Sequence, residues 1–113
     1  MANKYPTYAN SDDRRCAAQL ISMILASDTG ITVSIDCGEE FTIKNSDNKL
    51  DILKEMGATG EDFVIVKKDG VKLGWFYLIF CNGSEGDPMI LISNYSSNVY
   101  CDSIWNALNE KLG

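Results

Sequence analysis

The chain has 113 residues, 45% of them hydrophobic and 23% charged, which fits one folded domain rather than a disordered segment. A formal net charge of −6 argues against a nucleic-acid partner held by phosphate neutralisation. The longest apolar run, Trp75 to Cys81, is far short of the roughly 18 residues a membrane span needs, and MANKYPTYANSDDRR lacks a signal-type apolar core, so no membrane partner and a cytoplasmic location are expected.

Residues 1–10 read as a polar N-terminal lead, and residues 11–113 as a single α+β domain. Tyr5 and Tyr8 have little around them to bury, so they fold back onto the domain or meet another chain. Ser11-Asp12-Asp13 is expected to open a helix, and Ala17, Leu20, Ile21 and Ile24 share one helical face. Gly30 ends it. Ile31, Val33 and Ile35 alternate with polar residues, and Phe41 and Ile43 repeat the alternation after the Cys37-Gly38-Glu39 turn, which predicts a hairpin with one buried face. Ser46 or Asp47 should cap a short helix with Leu50, Leu53 and Met56 inward and Gly57 as its stop.

Phe63 to Val66 reads as the third strand, and Asp69-Gly70 suits the positive φ values of a type I′ turn. The following run, VKLGWFYLIFC, is apolar on both alternating sets and predicts a strand over 71–81 buried on both faces. A turn-rich loop, NGSEGDP, leads to a last strand at 89–93, and Asn98 opens a final helix with Cys101, Ile104, Trp105, Leu108 and Leu112 on one stripe. Trp75 and Trp105 both lie on apolar stripes and are expected in the core. The order α-β-β-α-β-β-β-α is similar to profilin-like folds, including PAS and roadblock-type domains. That likeness implies one five-stranded antiparallel sheet in the order 2-1-5-4-3. The terminal helices would lie on one face and the middle helix towards the other.

The chain has no histidine, which removes His-based acid–base catalysis, Ser-His and Cys-His pairs and His-ligated metals. It carries no phosphate-binding glycine loop. Asp12/Asp13, Glu39/Glu40, Glu61/Asp62 and Glu85/Asp87 fall at helix starts or turns, where capping and solvation explain them better than catalysis. Ser46, Asp47, Asn48 and Asp51 lack the alternation of a calcium loop. Cys16, Cys37, Cys81 and Cys101 form no C-x-x-C pair and are expected to be reduced thiols. The expectation is no enzyme, no catalytic residue, no cofactor and no metal site.

The runs Gly38-Glu39-Glu40-Phe41-Thr42, Asp51-Ile52-Leu53 with Thr59-Gly60-Glu61-Asp62, Gly74-Trp75, Asn82-Gly83 and Ile92 leading to Tyr95-Ser96-Ser97-Asn98 are similar to those of small uncharacterised phage and prophage proteins. The resemblance implies an accessory protein of a mobile element and supplies no activity. A non-enzymatic protein that binds a host protein is therefore the leading expectation, with a PAS-like small-ligand sensor second and a thiol or carboxylate enzyme third. In the expected strand order the first and fifth strands are neighbours. Asp36, Glu39, Glu40, Glu85 and Asp87 would then share one acidic rim, a candidate docking face for a basic partner or a divalent cation. An exposed edge strand would also allow a homodimer.

Overall fold

The computed structural model describes residues 10–82 and 86–112. The expected lead and its two tyrosines, apart from Asn10, lie outside them. The first helix, α1 (Ser11–Ala26), begins one residue earlier than expected in its cap. Asn10, not Ser11, is the N-cap: its side chain accepts the Asp13 N–H at 2.8 Å, and the Asp13 carboxylate accepts the Asn10 N–H at 3.2 Å. Ala17, Leu20, Ile21 and Ile24 are all buried, as their spacing predicts.

β1 (Ile31–Asp36) and β2 (Phe41–Ser46) form the expected hairpin. A shift in register between Ile35 and Asp36 sets Phe41 opposite Asp36, away from Ile43, and leaves it 44% exposed. α2 (Lys49–Lys54) is capped by Asn48 rather than Ser46 or Asp47, and buries Ile52 and Leu53 while Leu50 stays 71% exposed. β3 (Glu61–Lys68) and β4 (Val71–Ile79) are joined by a turn in which Asp69 and Gly70 have φ of 50° and 83°, as a type I′ turn requires. β4 stops at Ile79 rather than running on to Cys81. Cys81 takes a φ of 57° and donates its N–H to Asp13 Oδ2 at 2.8 Å, which draws the chain out of the sheet towards α1. A 3-10 turn, Pro88–Leu91, takes up the start of the expected last strand, and β5 is Ile92–Tyr95. Asn98 caps α3 (Val99–Leu112) through its side chain, which accepts the Cys101 N–H at 2.8 Å.

The sheet is antiparallel between neighbours, but its order is β2-β1-β3-β4-β5, not 2-1-5-4-3. The reason lies in strand length. β3 is longer than its apolar centre suggested and pairs with all six residues of β1, from Ile31↔Lys68 to Asp36↔Phe63. Four-residue β5 could not match that ladder. Val64 and Val66 are fully buried, which suits an interior strand and not the edge position of the profilin-like order. α2 is therefore the crossover that carries the chain from β2 over β1 to β3.

The placement of the helices also departs from expectation. α2 does not lie on the opposite face from the terminal helices: Ile52, Leu53 and Met56 join Leu20, Ile24, Phe76, Leu78, Ile104 and Leu108 in one core. All three helices thus pack on one side of the sheet. Trp105 is half-buried at the margin of that core and stacks on Tyr95 with ring centres 6.3 Å apart.

Candidate functional site: the open sheet face

With the helices on one side, alternation sends every second strand residue to a face that no described helix covers. Facing residues across the ladders form rows. Asp36, Phe63, Tyr77 and Asn94 make one row, and Ser34, Ile65 and Trp75 the next. The β4 aromatics that suggested burial on both sides therefore divide: Phe76 is fully buried under the helices, while Trp75 and Tyr77 are half-buried on the open side.

The open-side rings hold one another. Phe63 stacks on Tyr77 with centres 4.5 Å apart and planes 20° from parallel, and meets Trp75 edge-on at 5.8 Å. Such pairs contribute about 0.5–1.5 kcal/mol each beyond area burial, so the cluster is ordered without a covering layer. Phe63 remains 36% exposed. A shallow depression of about 200 Å³ runs beside the cluster, lined by Asp36, Phe63, Ile65, Lys72 and Trp75. The Tyr77 hydroxyl donates to the Glu61 carboxylate, and that bond holds the phenol pKa above its usual value. At the β2 edge, Lys44 lies 5.2 Å from the centre of the Phe41 ring.

The residues of the expected acidic rim distribute as follows. Asp36 ends β1, half-buried, accepts the Gly38 N–H at 2.9 Å and lines the depression. Glu39 and Glu40 are exposed in the turn before β2. Asp87 is exposed ahead of the 3-10 turn, and Glu85 lies outside the described residues. The adjacency of β1 and β5 from which the rim was drawn does not exist, because β3 and β4 stand between them. Gly86, next to Asp87, donates its N–H to Asp12 at 2.8 Å, so this loop is tied to the first turn of α1. The carboxylate that joins Asp36 at the open face is Glu61, from β3. Its i, i+2 relation to Phe63 was legible in the sequence; the facing of β3 was not.

One buried group was also missed. Asp62, on the covered side of β3, is fully buried. Its Oδ2 accepts the Gly57 N–H at 2.6 Å, and its Oδ1 has no partner. Burial pushes its pKa up to about 7 against the pull of the Gly57 bond, with Glu61 and Asp36 adding to the rise. Burial makes two of the thiols poor nucleophiles, raising Cys16 to about 12 and also raising Cys101; Cys37 is buried and Cys81 is exposed. Among the described residues, no three His, Cys, Asp or Glu side chains gather as metal ligands, and no helix is long and apolar enough to cross a membrane.

Comparison with protein-family models, with curated proteins and with solved structures gave no significant match.

Proposed function

We propose that this chain is a non-enzymatic binding module that engages another protein through the open face of its sheet. The observation that carries the reading is the cluster of Phe63, Trp75 and Tyr77 on the side that no described helix covers. Rigid aromatic rings with a polar margin are what protein interfaces use as anchors. A sheet with surface aromatics could also stack nucleic-acid bases. Here the Phe63 and Tyr77 rings already stack on each other, and the net charge of −6 opposes phosphates. The ligand-sensor alternative needs a cavity between α2 and the sheet, where Ile52, Leu53 and Met56 belong to the core. The likeness to phage proteins favours an accessory role, with a host protein as the first partner to seek.

The test is affinity capture from a bacterial lysate with the native chain and with a Phe63→Ser/Trp75→Ser variant whose fold is checked by circular dichroism. The expected result is a captured protein that the variant loses. Capture unaffected by the variant, or a turnover measured on a metabolite, would overturn the reading.

A further inference from the structure

On the three inner strands, β1, β3 and β4, charge on the open face is sorted along the strand direction, while Lys44 of the edge strand β2 lies against Phe41 near the acidic end. Asp36 and Glu61 lie at one end, and Lys67 and Lys72, which face each other across β3 and β4, lie at the other. Phe63, Ile65, Trp75 and Tyr77 fill the ground between. Like charges directly opposite are unfavourable on a sheet. Neither lysine has an ion-pair partner among the described residues, whereas Lys54 and Lys68 both do.

A face that is acidic at one end, apolar in the middle and basic at the other is its own complement when turned over. The two-fold axis must lie between the faces and run across the strands; an axis along the strands would set acid on acid. On β3, Val64 is midway between Glu61 and Lys67. An axis passing there sets Glu61 of each copy opposite Lys67 of the other, and Phe63 opposite Ile65. On β4 the same rotation sets Tyr77 opposite Trp75. Side chains of two stacked sheets then interdigitate as in a sandwich.

We propose that the open face is an isologous interface between two copies of this chain, with Glu61 of each copy paired to Lys67 of the other around a shared aromatic centre. The proposal rests on the binding reading above and assigns a second copy of this chain as the occupant of the face.

Sedimentation equilibrium of the full chain tests it. The expected result is a monomer–dimer equilibrium that weakens as salt is added, since rim charge pairs are screened. Glu61→Lys alone and Lys67→Glu alone each place like charges across the axis and should weaken dimerisation about tenfold or more. Mixing the two variants should restore the dimer, because each then supplies what the other lacks, and restoration also demonstrates that both fold. Three results would overturn the proposal. A native chain that is monomeric at every concentration would do so; if Phe63→Ser/Trp75→Ser then still lost a captured lysate protein, the binding reading would stand without the second copy. A dimer insensitive to salt and to both reversals would place the interface elsewhere. A chain that dimerises only after removal of residues 1–9 would assign the face to its own N-terminal lead.

Discussion

Phe76 and Trp75 are neighbours in one strand and live in different solvents. Phe76 points under three helices and is fully buried; Trp75 points the other way and keeps water on part of its ring. The covered face is stabilised by long-range burial that needs every layer in place. The open face is stabilised sideways, ring against ring and Tyr77 against Glu61, along two adjacent strands. Apolarity on both alternating sets of a strand therefore does not require two covering layers. A lateral aromatic cluster satisfies the second set, and does so while leaving a surface that can be read.

The sharpest way to break this comparison is truncation on each side. Phe76→Ala should destabilise the fold by about 3–5 kcal/mol in urea unfolding, and Trp75→Ala by about 2 kcal/mol or less. Equal losses would mean that the open face is covered after all. The pH dependence of stability sharpens the covered side further. Asp62 has a folded-state pKa of about 7, raised by burial from the ordinary 3.8 of an aspartate, so the folded state holds the proton more tightly. Its contribution is complete below the unfolded value and is lost as pH rises through about 7. Asp62→Asn, which imitates the protonated acid, should gain about 1–3 kcal/mol on the native chain between pH 5 and pH 8, read from thermal or urea unfolding at the two values.

Much of the local structure was legible. The α1 stripe, the Asp69-Gly70 turn and the Asn98 cap each depend on residues close in sequence, and local rules describe them. Strand order was not legible, because alternation says which way a side chain points and nothing about which ladder forms beside it. Only the length of β3, extended at both ends by charged residues, decides that β1 pairs with it. Phe41 escaped for a related reason: the register shift beside Asp36 breaks the alternation that placed it inward. Of the candidate rim, Asp36 proved to border the aromatic cluster. Glu61, whose sequence context suggests a solvated helix start or turn, instead opens β3.

Two smaller effects continue the comparison. Gly74 lies on the covered side, where an added Cβ would come within 2.4 Å of Cys101 Sγ and 2.7 Å of Ser96 Oγ. Gly74→Ala should cost about 1–3 kcal/mol by forcing the first turn of α3 outward, measurable by denaturant unfolding. On the open side, Tyr77→Phe removes only the hydroxyl that meets Glu61, and the same measurement should change by no more than about 0.5 kcal/mol. A larger loss there would mark the Tyr77–Glu61 pair as structural rather than superficial.

The crossover through α2 has a consequence for how the chain can be divided. Because it carries the backbone from β2 over β1 to β3, the sheet is joined between the chain's two halves along a single seam, the six-residue ladder of β1 and β3. Everything before the crossover lies on one side of that seam in the sheet, and everything after it on the other. A chain severed between α2 and β3 should therefore behave as a pair of complementary fragments. Neither fragment alone closes the core, since α1 belongs to the first and α3 to the second, yet each presents a full-length strand edge to its counterpart. Reassembly of the two fragments on mixing would make this small fold a natural split protein.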